Sequence, residues 1–251
     1  MSPEHPDPVA PKASAAAVAN PVVSLDDPRA ITILTTEHWS LLSARSLAYN
    51  EAFVRGGMFL TFLSMSFVAL ALFSSAMSFG DDFLTVAAVL LGFDFVIGLI
   101  TYGRIIGANE DDMRAVHGMA RIRHGYTQIA PIVAPYFTTA VHDDPAGIGL
   151  AYGNQSTSMP GVLIYGLTTS GGMIGLILTM VGGVFISVIA LLLGAAGGAA
   201  IGIGIGGAIV VCGILVVFTV GRIPRAQRSL PVLFPSSGEP GPSLAEAPDQ
   251  R

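Results

Sequence analysis

The sequence is short of charge. Acidic and basic side chains make up 12% of 251 residues, about half the share in a soluble domain. One lysine, Lys12, stands among the twelve basic residues, so lysine-based phosphate or Schiff-base chemistry has no candidate. The arginines flank apolar runs and form no basic stripe, which excludes a nucleic-acid footprint. The single cysteine, Cys212, rules out an intrachain disulfide and any CxxC or Cys/His zinc spacing. GxSxG, HExxH, P-loop and dinucleotide-binding signatures are all missing. The chain is therefore expected to be no enzyme and to carry no cofactor and no metal.

What is present is grease and glycine. Apolar residues reach 52% and glycine numbers 30, with a mean hydropathy of +0.67. The apolar residues gather in four runs, 57–77, 84–102, 171–193 and 199–220, each close to the roughly 20 residues that cross a bilayer core. The expected fold is all-α, a polytopic membrane protein with four transmembrane helices. The spans pair as hairpins, 57–104 and a glycine-rich 169–221. "SFGDDF" joins the first pair, with Asp82 placed to cap the incoming helix. "GAAGGAA" joins the second, and its lack of charge leaves a re-entrant turn open for that region.

Prolines punctuate residues 1–30 and the region from Pro224 onward, so 1–30 and 222–251 are expected to be disordered tails. The Ala-rich opening is a poor signal peptide, because Glu4 and Asp7 precede it and Asn20-Pro21 interrupts it. Arg45 and Arg55 precede the first span. Arg104, Arg114, Arg121 and Arg123 follow the second, and Arg222, Arg225 and Arg228 follow the fourth. Neither short hairpin loop holds a basic residue, so the positive-inside rule places both termini and the 105–168 segment in the cytoplasm of a multi-pass protein of the cell membrane.

The cytoplasmic flanks are patterned. Ala115, Met119, Ile122, Tyr126 and Ile129 recur at steps of four and three, and Asn109 can cap such a helix, which Pro131 and Pro135 would end. Trp39, Leu42, Ser46, Tyr49 and Phe53 follow a similar rhythm over a cytoplasmic amphipathic helix, 31–56. Glu51 and Arg55 form a favourable i,i+4 pair. Folding the chain at Gly80–Asp81 brings Trp39 opposite Ile122, Leu42 opposite Met119, Phe53 opposite Ala108 and Glu37 near Arg123 and His124. The expectation is one antiparallel helical hairpin running several turns past the lipid, with Trp39 and Ile122 marking a cytoplasmic interaction surface.

Asp94 stands inside "LTVAAVLLGFDFVIGLITYGR", where an ionised carboxylate costs roughly 2.5–3.5 kcal/mol. The neutral acid is favoured, with Ser66 or Ser64 at the same height as hydrogen-bond partner and Gly98 one turn away. Either a packing residue or an intramembrane proton or polar site fits that pattern. Gly171, Gly175, Thr179, Gly183 and Ser187 form one four-residue ridge, and Gly194, Gly198, Gly202 and Gly206 a second. Such ridges let helices approach closely. They pair within one subunit or join subunits of a homo-oligomer. His117, His124 and His38 are expected to be solvated helix residues, and "HDD", His142 to Asp144, a loop.

"ILTTEHWSLLSARSLAYNEAFVRGGMFLTFLS", Ile33 to Ser64, and "RIRHGYTQIAPIVAPYFTTAVHDDPAGI", Arg121 to Ile148, resemble a group of bacterial, mainly actinobacterial, integral membrane proteins with no assigned activity. The resemblance implies membrane location and assigns no site residue. The leading functional expectation is a membrane-anchored scaffold or interaction module. Its partners would be the lipid bilayer, a cytosolic protein and a second copy of itself, with no nucleic acid. A small oligomeric ion channel or proton-coupled transporter using Asp94 is the alternative, and an accessory subunit of a membrane complex a further one.

Overall fold

The computed structural model describes residues 25–77, 80–152, 166–228 and 230–236. Five α-helices run through them: α1 (Pro28–Met77), α2 (Asp81–Ile129), α3 (Pro145–Ala151), α4 (Ser170–Leu192) and α5 (Gly197–Arg228), with a 3₁₀ helix, Pro131–Tyr136, between α2 and α3. The chain is an all-α polytopic membrane protein: α1, α2, α4 and α5 are each long and apolar enough to cross a bilayer.

No proline falls between Pro28 and Pro131, so nothing interrupts the backbone ladder of α1 or α2 except the turn between them. The expected helix 31–56 and first span are therefore one helix of 50 residues, about 75 Å long. The lipid core takes about 30 Å of it, leaving about 45 Å beyond. Asn109 is not a cap but an interior residue of α2. Nor does Asp82 cap that helix: Gly80 is the N-cap, without a side-chain bond, and Asp81 and Asp82 fill the first turn. There their charge complements the helix dipole. Ala130 closes α2 just before Pro131, as the prolines require.

α1 and α2 pair antiparallel in the expected register. Thr35 meets Tyr126 and Tyr49 meets Asp112; Phe59 reaches Gly98. The buried face of α1 is different from the expected one. Leu34 and Leu41 lie against Gly125 and Gly118, Arg45 pairs with Asp112, and Ala52, Phe59 and Leu63 enter the core. Trp39, Leu42 and Phe53 face outward, with Trp39 63% and Phe53 81% exposed, and Tyr49 lies at the edge with its hydroxyl turned to Asp112. The inward stripe keeps the heptad rhythm but includes His38, Arg45 and Ser66, and those polar members conceal it.

The second hairpin forms with two full helices, closing the re-entrant alternative. Thr169 caps α4 by accepting from the Gly172 N–H at 3.1 Å. Gly194 turns the chain with a φ of 88°, the left-handed region that a side chain resists. One core joins the hairpins: Phe59, Leu63, Tyr102, Ile105, Ile174, Leu178, Val211 and Leu215 pack together, with Leu178 fully enclosed.

Two tail boundaries move. The helix begins at Pro28, inside the expected N-terminal tail, and α5 continues to Arg228. Residues 231–236 are held against the end of α2. Residues 1–24, 153–165 and 237–251 lie outside the described residues.

Candidate functional site

Beyond the spans, the distal parts of α1 and α2, the 3₁₀ helix, α3 and residues 231–236 form a head. Its centre is Asp112, on the inward stripe of α2 between Ala108 and Ala115. Arg45 Nε donates to its Oδ1 at 2.6 Å. Tyr49 and Tyr152 donate their hydroxyls to Oδ2 at 3.1 and 2.6 Å. The Arg45 guanidinium lies 5.6 Å from the Tyr49 ring centre and 6.0 Å from that of Tyr152, within cation–π range. Four side chains from α1, α2 and the end of α3 are thereby locked. Burial and then the neighbouring Asp112 carboxylate push the Tyr152 hydroxyl well above the usual phenol range, so it stays a donor. Val116, Met119, Ala120 and Ile148 supply the apolar packing beside this knot.

A second polar centre lies at "HDD". Asp143 is fully buried, and Arg121 Nε donates to its Oδ2 at 2.7 Å. The backbone N–H groups of Leu233 and Phe234 donate to the same carboxylate at 3.0 and 2.8 Å. Arg121 also donates to the Pro231 carbonyl at 2.6 Å. Asp144 caps α3 through the Gly147 N–H at 2.8 Å. Its other oxygen accepts from the Ser236 N–H at 2.8 Å and from the Ser236 hydroxyl. Phe234 stacks on His124 with ring centres 4.1 Å apart, and His142 stands 6.0 Å from His124. Burial works to raise both carboxyls. The Leu233, Phe234 and Arg121 donors outweigh it at Asp143, and Ser236 with Gly147 does so at Asp144, so both sit below the usual carboxylate range. Burial, then the neighbouring His142, lowers His124.

The expected sites scatter. Ile122 is buried and Trp39 exposed, so the two do not make one surface. Among the described residues Glu37 has no ion pair with Arg123; His38 occupies that height, 6.1 Å from the Tyr126 ring. His117 is buried and bonded through Nδ1 to the Met113 carbonyl oxygen at 2.8 Å. Glu51 pairs with Arg55 as expected and also with Arg104, both at 2.9 Å, linking α1 to α2 at the mouth of the spans. No group of three or more His, Cys, Asp or Glu that could hold a metal exists among the described residues.

Within the spans, Asp94 is buried at the α1–α2 interface, 1% exposed. Ser66 is its polar neighbour on α1, and Oδ2 has no hydrogen-bond partner. Ser64 takes no part, donating to the Leu60 carbonyl at 2.8 Å. The close contact expected at Gly98 is there: a Cβ would lie 2.7 Å from Leu178 and 2.9 Å from Phe59.

The first glycine ridge divides its contacts. Gly171 and Gly175 face Ile105, Ile106 and Tyr102 of α2, whereas Gly183 faces Gly204 and Ala208 of α5. On α5 the contact glycines are Gly204 and Gly207, set against Ser187 and Ile186. Gly198, Gly202 and Gly206 face open space. Four-residue spacing revealed that the ridges exist but not which of two neighbouring stripes turns inward.

Asp112 and Asp143 escaped the reading of the sequence as sites. Asp112 was visible as a carboxylate at helical spacing within an apolar stripe. Arg121 lies 22 residues before Asp143, but its other partners, Leu233 and Phe234, lie about 90 residues away in sequence, beyond any local pattern. No protein-family model, no curated protein and no solved structure matches the chain.

Proposed function

We propose that the protein is a membrane-anchored scaffold whose head engages a cytosolic protein partner. One observation carries the reading: an apolar stripe on α1, Trp39, Leu42 and Phe53, is exposed on a helix that outruns the lipid. Trp39 stands about 27 Å along the axis from Gly57, where the span begins, too far for lipid tails to cover it. Aromatic residues so placed are the usual anchors of protein interfaces. Asp112, Asp143 and Asp144 are each held by several donors within the head, which suits a rigid platform. Both termini and the head are assigned to the cytoplasm on the arginine distribution, and the resemblance to the actinobacterial group agrees with a bacterial cell membrane.

The test is a pull-down from detergent extract with the purified chain as bait. A discrete partner retained by the wild type and lost with Trp39→Ala, the fold intact by circular dichroism, supports the reading. Equal retention by Trp39→Ala overturns it.

A second reading, a proton-coupled transporter or small channel, is favoured by one feature, the buried Asp94 with an unpartnered oxygen. Proton or cation flux in proteoliposomes, abolished by Asp94→Asn with folding retained, would replace the scaffold reading. An accessory role in a larger membrane complex would show as a partner that co-purifies through the spans and survives Trp39→Ala.

A further inference from the structure

Residues 231–236 sit on the head as a ligand sits on a receptor. The Asp143 carboxylate takes two successive backbone N–H groups, Leu233 and Phe234. The Asp143 N–H donates back to the Phe234 carbonyl at 3.3 Å, and the segment bends at Leu233 and Phe234 so that both N–H groups reach the one carboxylate. Arg121 fixes the carbonyl of Pro231. His124 offers a ring face to Phe234, and Asp144 takes both the N–H and the hydroxyl of Ser236. Backbone contacts supply attachment, and the ring and hydroxyl contacts select sequence. The receptor stands without the segment's help: Arg121 and His124 belong to α2, Asp144 is fixed as the α3 cap, and Gly147 closes the loop so tightly that a Cβ would run into the His142 carbonyl.

We propose that this cleft is a peptide-binding site, specific for a bent segment with an aromatic residue followed two positions later by a hydroxyl residue, and that the chain fills it in cis with a releasable strap, residues 231–236. The strap ties α5 to the far end of α2. Its release opens the cleft and leaves the Arg222–Glu110 ion pair, 3.2 Å, as a remaining link between α5 and α2. The site is separate from the Trp39 stripe and does not depend on the scaffold reading.

The test uses the full chain in lipid nanodiscs and a fluorescent synthetic peptide of residues 230–236. Phe234→Ala with Ser236→Ala weakens the strap and leaves the cleft untouched. The peptide should bind this variant at least tenfold more tightly than it binds the wild type, whose cleft is already filled. A Phe234→Ala peptide should bind the variant at least tenfold more weakly than the native peptide. Equal binding to variant and wild type, or equal binding of the two peptides, overturns the proposal. Hydrogen exchange on the wild type gives an independent check. The Leu233 and Phe234 amides should exchange at least tenfold faster than the Met119 amide, because the strap opens without unfolding α2. Matching rates would show a fixed contact and overturn the release.

Discussion

The two hairpins solve the same problem with opposite materials. In the second, α4 and α5 meet through glycine: a Cβ on Gly204 would lie 2.8 Å from the Gly183 carbonyl and from Ser187. In the outer half of the first, α1 and α2 meet through Arg45, Tyr49 and Asp112. Lipid removes the hydrophobic drive for helices to associate, so close backbone approach takes over. Outside the lipid, water makes apolar burial effective again, and a buried ion pair sets the register at the cost of desolvation. The side chains of one protein thus change at the same level at which its solvent changes.

The contrast can be broken most severely at Gly183. Gly183→Leu should lower stability by about 3 kcal/mol, because the new side chain meets backbone and Ala208 on α5. Thermal unfolding in detergent would measure it, and an unchanged midpoint would mean the two helices do not touch there. The head gives a smaller effect. Asp112→Ala should cost about 2 kcal/mol, below the figure for a fully enclosed pair because the Arg45 side chain is 28% exposed. Limited proteolysis should show the head opening while the spans stay protected.

Acidity separates the regions further. His124 lies below its ordinary value of 6.5 through burial and His142, so the folded head prefers the neutral ring. Its contribution is complete above pH 6.5 and is lost as pH falls through the lowered value. Asp143 and Asp144 lie below their ordinary 3.8, so their contribution is complete above that pH and fails at still lower pH. Fluorine NMR of a label at Phe234 should show the strap loosening first below about pH 6.5, before the two carboxylates titrate. His124→Phe, which keeps the stack, should remove that first step; a step that persists in the variant would assign it elsewhere. The smallest effect is expected at Gly202→Leu, within about 0.5 kcal/mol, since Gly202 faces open space. Loss of a native oligomer in that variant, seen as a drop in detergent-phase mass, would convert the open ridge into a subunit interface.

How much the sequence disclosed follows the same division. The spans, the hairpin register and the close approach at Gly98 were legible, because apolar length and the GDD turn are local signals. The inward face of α1 was not. Apolar character points to Trp39 and Phe53, while the side of the helix that meets α2 contains His38, Arg45 and Ser66: Arg45 is held by Asp112, Ser66 stands beside Asp94, and His38 packs its ring against Tyr126 with Nδ1 unpartnered. Prolines mark the strap as tail because they argue against regular structure, yet a short bent segment held by Asp143 needs none.

The unbroken length of α1 and α2 has a mechanical consequence. With about 45 Å of stiff helix pair outside the bilayer, a change of about 10° in span tilt, the adjustment a helix makes to a thicker or thinner membrane, would sweep the tip by about 8 Å. A helix pair of that length converts a small change of tilt at the membrane into a large displacement at its far end.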